Sequence, residues 1–300
     1  MIQTPFTFQQ LQAFVTVAAT LSYTRAAAAL HVTQPAVSMM IQELERRLGV
    51  ALFERSGRTF TLTAEGERFR IRTVEMLGMV EETLEELRLG TRSVSGVLRI
   101  GASTTLGNYI LPQWLGRFYH QHPQTRVELF VENTHHVVEH LVAQEIAIAF
   151  IEGPCHDSRV VTRRFQKDEL VLVCRPDHPW ALRQTISLTE LEAERVILRE
   201  PGSGTRDVIV TELERAGVTI DTPLQLGHTE AIKTAVGAGL GVSILSRVAC
   251  AREIEAKLLA EVRLDSVRMD RWFYCCRVKG KRDSPILRAF LDLAEPEILD

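Results

Sequence analysis

Gln34, Ser38 and Gln42 lie on one side of a helical stretch that carries no charge from Thr33 to Gln42. Amides and hydroxyls of this kind can donate to and accept from base edges in a major groove. Arg25, Arg55 and Arg58 flank the stretch and have the length and charge to reach backbone phosphates from one side. The chemistry implied is recognition of duplex DNA, with a slim neutral ridge against the bases and arginines against the backbone.

A second set of residues suggests a small ligand. Ser103-Thr104-Thr105, Asn133-Thr134 and Pro201-Gly202-Ser203-Gly204-Thr205 each follow an apolar run and open a polar helix start. Beyond the carboxyl ends of parallel strands, helix N-termini offer amides and a partial positive charge, so these stretches favour an anion. Gly202 and Gly204 let the backbone fold into an amide-lined concavity, and the hydroxyls of Ser203 and Thr205 add donors. Thr229 is placed to line the same cleft. The Gly-Lys-Ser/Thr ending of a nucleotide-phosphate loop is missing.

His136-Val-Val-Glu139-His140 matches a zinc-hydrolase pattern, but such catalysis needs a third ligand and a water-holding pocket. On a helix whose apolar side is Val137, Val138, Leu141 and Val142, a solvated or lobe-facing histidine cluster is the preferred reading. Gly237-x-Gly239-x-Gly241 lacks dinucleotide spacing and reads as a helix-to-strand turn. Cys155, Cys174, Cys250, Cys275 and Cys276 include no Cys-x-x-Cys pair and read as reduced core thiols. No catalytic residue, metal ligand or cofactor is expected.

The elements that must position these groups follow from caps and periodicity. Ser22 caps a helix carrying an alanine run to about Leu30, and Thr33 with Pro35 starts another only two residues on. Val37, Ile41, Leu44 and Leu48 give the second helix one apolar face, against Ala27, Leu30 and Phe14. Gly49 ends it, and Leu52 to Leu62 forms a basic-tipped hairpin, a wing. Phe8 to Ala18 is a helix behind this motif. Thr63 starts a long helix to about Arg92, where Val74, Leu77, Val80, Leu84 and Leu87 make a narrow stripe that a second copy of the chain would cover. Beyond a break at Ser93 to Gly96, strands and helices alternate as in a parallel sheet covered by helices.

A chain of 300 residues with 45% hydrophobic content has room for two or three cored domains. No apolar run is long enough to span a bilayer and no secretory segment opens the chain, so the expected compartment is the cytoplasm. The net charge of -3 gives a DNA reader little support, and within the first 66 residues five arginines face four glutamates; placement must do more than bulk charge.

Over essentially its whole length the sequence resembles the LysR-type transcriptional regulators. The residues that carry the resemblance are Ser22-Tyr-Thr-Arg-Ala-Ala, Leu30-His-Val-Thr-Gln-Pro-Ala-Val-Ser38, Leu44 to Arg55 and Leu62-Thr-Ala-Glu-Gly66. The resemblance implies a multidomain fold: a winged helix-turn-helix over 1–65, a dimerising linker helix over 66–92, and a two-lobed α/β effector domain like periplasmic binding proteins. Lobe I would take 96–162 and 268–300, and lobe II 163–267. It implies tetramers on imperfect palindromes of double-stranded DNA, contacted by Thr33, Gln34, Pro35, Ser38 and Gln42 in the groove and by Arg55 and Arg58 in the wing. Position 39, often basic in that family, is Met39 here. The wording Glu200 to Arg206 resembles members that respond to inorganic sulfur anions or to phosphorylated sugars of carbon fixation. A sulfite- or sulfate-type oxyanion is therefore expected, then a phosphorylated metabolite, then an aromatic carboxylate. A solute-binding protein and a zinc hydrolase through His136, Glu139 and His140 are the remote alternatives.

Overall fold

The computed structural model describes residues 5–56, 59–89, 94, 96–183, 185–220, 224–265 and 267–298. The chain divides into two compact units, 1–93 and 94–300.

In the first unit, α1 (Phe8–Thr20), α2 (Tyr23–Ala29) and α3 (Gln34–Leu48) precede a hairpin of β1 (Phe53–Ser56) and β2 (Thr59–Leu62), and α4 (Ala64–Leu89) follows. Ser22 caps α2 by accepting from the Arg25 amide, and Gly49 closes α3 in the left-handed conformation. Thr33 occupies the cap position of α3 but makes no side-chain capping bond; Pro35 in the first turn removes an amide that would need a partner. Ala13, Phe14, Val17, Ala26, Ala27, Val37, Ile41, Leu44 and Leu52 form the core.

The wing is fastened to this core twice over. Phe53 stacks on Phe60 with centroids 5.1 Å apart and also meets Phe14 and Tyr23. Glu45 of α3 accepts from the amides of Leu52 and Phe53 at 2.7 and 3.1 Å, which registers the hairpin against the helix. Thr63 opens α4 by accepting from the Gly66 amide and donating to the Ala51 carbonyl. A Cβ at Gly66 would lie 2.0 Å from the Leu52 carbonyl oxygen, a backbone atom that cannot move aside. Gly66→Ala is therefore expected to destabilise this unit by about 2 kcal/mol, read as a lower midpoint for its transition in thermal unfolding of the full chain.

The second unit contains β3 (Gly96–Ser103), a single π-turn (Leu106–Ile110) running into α5 (Leu111–Gln121), β4 (Thr125–Glu132), α6 (Thr134–Val142) and β5 (Ile148–Glu152). It continues with β6 (Val160–Cys174), β7 (Thr185–Ile186), α7 (Leu188–Glu192), β8 (Val196–Arg199), α8 (Gly204–Arg215), β9 (Leu224–Leu226), α9 (Thr229–Gly237) and β10 (Val242–Ser246). Last come α10 (Arg247–Glu255), β11 (Ala260–Leu264), β12 (Asp270–Val278) and α11 (Pro285–Ile298).

The sheet runs β4-β3-β5-β12-β6-β10-β8-β9, with β11 also on β6. Its spine is β6, fifteen residues long. The Val160 end pairs with β12 in lobe I, and the Leu170–Cys174 end pairs with β10 and β11 in lobe II. A boundary drawn at residue 162 thus falls inside one continuous strand. Each lobe has a core on both sheet faces. In lobe I, Trp114, Phe118 and Phe290 cover one face and Val137 and Leu141 the other. In lobe II, Ile209 and Leu213 oppose Ile232 and Val236. Cys275 and Cys276 fall on opposite faces, and burial pushes the Cys275 thiol up to about 12. Among the described residues no helix is long and apolar enough to cross a membrane.

Candidate functional site

On the first unit, α3 and the wing enclose a groove of about 320 Å³ lined by Tyr23, Gln34, Ser38, Gln42, Glu45, Phe53, Glu54, Arg55 and Phe60. It gathers Gln34, Ser38, Gln42 and Arg55 from the residues expected to meet DNA. The Arg55 guanidinium lies 5.6 Å above the Phe60 ring, which steadies it without using its donors on a carboxylate. Thr33 and Pro35 are exposed at the start of α3. Arg25 donates from its guanidinium to the Thr20 carbonyl and braces the turn between α1 and α2. Arg58 lies outside the described residues.

In the second unit, three polar loops meet between the lobes. Gly202 has φ +87°, and its carbonyl accepts from the His135 amide at 3.1 Å, so the loop before α8 is bonded to the start of α6. A Cβ on Gly204 would lie 1.9 Å from the Glu152 carbonyl oxygen and 2.8 Å from Thr134 Oγ1; only glycine allows this approach. Asn133 caps α6 by accepting from the His136 amide.

The hydroxyls divide into two groups. Thr104 and Thr229 both accept from Arg199 Nη1, at 2.6 and 3.4 Å, while Thr205 donates to Glu152 and accepts from Arg271 at 2.8 Å. Thr205, expected to add a donor for a ligand, spends its proton on Glu152, whereas Thr104 and Thr229 are used here as acceptors. The Thr105 amide likewise donates to Glu152, at 2.8 Å. Among the described residues, Ser103 Oγ and Thr134 Oγ1 are buried without a partner, and so is Nη2 of Arg271. Ser203 is buried at the cap position of α8 and makes no capping bond.

Behind these loops lies a charged network absent from the expectations. Arg271 donates through Nε to Asp168 at 2.7 Å and through Nη1 to Glu152 at 3.1 Å, and Ser246 donates to Asp168 at 2.8 Å. All three charged side chains are buried. Burial alone would push Glu152 up, but the Arg271 charge and the bonds from Thr205 and Thr105 overcome it and hold the carboxyl at about 2. Asp168 is raised, because burial outweighs Arg271 and Ser246. Buried Arg199 forms a two-point pair with Glu200, 2.8 Å at each contact. Nearby, Tyr109 of the π-turn donates to Glu230 of α9, whose neighbour Lys233 is held by Glu253 at 2.8 Å. The available signal was an ionic residue ending a wholly apolar strand, as Glu152 does for β5 and Arg199 for β8.

The histidine pattern does not assemble a zinc site. Glu139 turns to His135 at 3.4 Å, and His140 is held by Glu145 at 2.6 Å with Glu132 at 3.6 Å. Among the described residues no three metal-ligating side chains converge.

A winged helix-turn-helix joined in one chain to a two-lobed α/β domain with a polar junction defines a ligand-responsive transcription regulator rather than an enzyme. Residues 8–67 match the bacterial regulatory helix-turn-helix proteins of the LysR family, and residues 91–298 match the LysR substrate binding domain. The chain belongs to the LysR family of DNA-binding transcription regulators. It is 37% identical over 290 residues to the HTH-type transcriptional regulator YeiE of Escherichia coli K12, covering 97% of each. It is 35% identical to a RuBisCO operon transcriptional regulator of Allochromatium vinosum, over 96% of this chain and 95% of that one. The CcmR regulatory domain of Synechocystis PCC6803, solved in complex with 2-PG, superposes with a TM-score of 0.64 and 31% identity, covering 68% of this chain and 98% of that one.

Proposed function

We propose that this regulator binds a small oxyanion at the junction of the two lobes and that the bound anion changes its grip on DNA. The observation that carries the reading is a set of three unpartnered buried donors at the lobe junction, Ser103 Oγ at the end of β3, Thr134 Oγ1 at the start of α6 and Arg271 Nη2 on β12. A buried donor without a partner costs about 1–3 kcal/mol, and an anion accepting from all three would recover it. Ser203, Gly202, Gly204 and the N-termini of α6, α8 and α9 add amide dipoles. Thr104, Thr105, Asn133, Thr205 and Thr229 hold the frame through the bonds described above. Arg199 and Arg271 are outnumbered locally by Glu152, Asp168 and Glu200, so binding strength comes from directed donors rather than net charge. A compact sulfite- or sulfate-type anion suits such a site. A phosphorylated metabolite is the second reading, favoured by the likeness to a regulator solved with 2-PG and to a RuBisCO operon regulator.

DNA is met by the α3 face from Thr33 to Gln42 and by the wing through Arg55 and Arg58, on an imperfect palindrome. A homodimer forms through α4, where Leu84 of the apolar stripe stands exposed on a single copy; two dimers make the tetramer, which acts in the cytoplasm. Closure of the lobes on the anion respaces the paired recognition helices.

The test is thermal unfolding of the full chain with sulfite, sulfate, inorganic phosphate, a sugar phosphate or benzoate. An anion at about 100 times its Kd is expected to raise the effector-domain midpoint by roughly 5–10 °C. If none of these raises it, the lobe-junction reading is wrong.

A further inference from the structure

We propose that Met39 reads the 5-methyl group of a thymine in the major groove. The proposal rests on the DNA-binding role of α3 and identifies which of its side chains leads into the groove. Val37, Ile41 and Leu44 are buried and fix the inward side of the helix. At 100° per residue, the line directly opposite runs through Pro35, Met39, Gln42 and Arg46, all of them exposed. Met39 sits mid-helix on that line and is 69% exposed, the most exposed of the large apolar side chains described in the first unit. An apolar side chain on the outermost ridge of a helix flanked by Gln34, Ser38 and Gln42 is where a base edge would lie.

The occupant is set by the chemistry available. Specific readout of guanine relies on a bidentate Arg or Lys, adenine on Asn or Gln, and thymine on apolar contact with its methyl. From Thr33 to Gln42 the helix has no cation. The nearest on the same helix, Arg46 and Arg47, are both drawn to Glu43 at 2.6 Å. Gln34 and Gln42 can address adenine, and Met39 is the one large apolar side chain on the exposed line. Its unbranched thioether is polarizable and adapts to the shape of a methyl group.

The experiment begins by enriching bound sequences from a random duplex pool with the full-length protein at fixed salt. In the preferred duplex each thymine is then replaced singly by uracil, which deletes the methyl and leaves every hydrogen-bonding group in place. At one thymine in each half-site, uracil is expected to weaken wild-type binding by about three- to five-fold, the effect of one buried methyl. The same change is expected to leave Met39→Ala within about 1.5-fold of its affinity for the thymine duplex, while Met39→Leu behaves like wild type. Met39 is exposed, so neither substitution disturbs the core. Uracil without effect at every thymine, or an equal loss in Met39→Ala, overturns the role of Met39 while DNA binding stands. Failure of any sequence to enrich overturns the DNA reading itself.

Discussion

Arg271→Met is expected to lower the unfolding midpoint of the effector domain by roughly 10 °C. Its guanidinium is the positive centre between Glu152 and Asp168, at 3.1 and 2.7 Å, in a place where all three are cut off from water. Removing one partner of a buried ionic set leaves the others charged and unsolvated, which costs about 3–5 kcal/mol, and for a domain of this size each kcal/mol moves the midpoint by about 2–4 °C. Two carboxylates would then share a dry pocket and one would have to take up a proton. The substitution also strips Thr205 of a donor at 2.8 Å, in the first turn of α8, just after the Gly202 loop that meets the start of α6. The control is the triple variant Arg271→Met, Glu152→Gln, Asp168→Asn, which removes charge and counter-charge together and is expected to recover more than half of the loss. Calorimetry of the full chain separates the transition of this unit from that of the DNA-binding unit. A midpoint within 2 °C of wild type for the single variant would mean that the network contributes little to the fold.

That network was illegible in the sequence for a definite reason. Arg271 faces Asp168 only because β12 and β6 pair in the register that places those two opposite each other, a hundred residues apart in the chain. Nothing local to either residue announces it. The same holds for the front half of β6, where Val160 to Glu169 alternates too weakly to read as a strand and is made one by β12 alongside. By contrast the DNA-binding unit was legible almost to the residue, since its signals act within a turn or two. Ser22, Pro35 and Gly49 set helix ends, and Val37, Ile41 and Leu44 set the buried face. The absent Thr33 bond and the turn of Arg25 toward Thr20 are side-chain choices that spacing does not determine. At the lobe junction the polar helix start after each strand marks the loops. The hydroxyls that remain unpartnered could not be told from those spent on Arg199 and Glu152, because that depends on which ionic residue the other lobe brings.

Replacing Ser103 by Ala together with Thr134 by Val is expected to raise the stability of the unliganded protein by about 1 kcal/mol and to weaken anion binding by about 100-fold or more. The two effects share one cause. Each hydroxyl is buried without a partner, so the fold carries its desolvation cost and gains no bond in return; an apolar group of similar shape removes that cost. An anion at the junction would accept from both, and a hydrogen bond to a charged group is worth about 1.5–3 kcal/mol, so losing two of them costs at least two orders of magnitude in affinity. The opposite signs distinguish a binding role from a structural one. A hydroxyl that held the lobe together would lower the unliganded midpoint on removal and leave the anion-induced shift intact, and that pair of results would sink the assignment. Thermal unfolding of wild type and variant across an anion titration reads both quantities in one series. Retaining costly unpartnered donors beside a buried Glu-Arg-Asp set is the trade of stability for function expected at a binding site: Thr205 and the paired nitrogens of Arg271 keep the junction rigid, and Ser103, Thr134 and the remaining Arg271 nitrogen are left for the ligand.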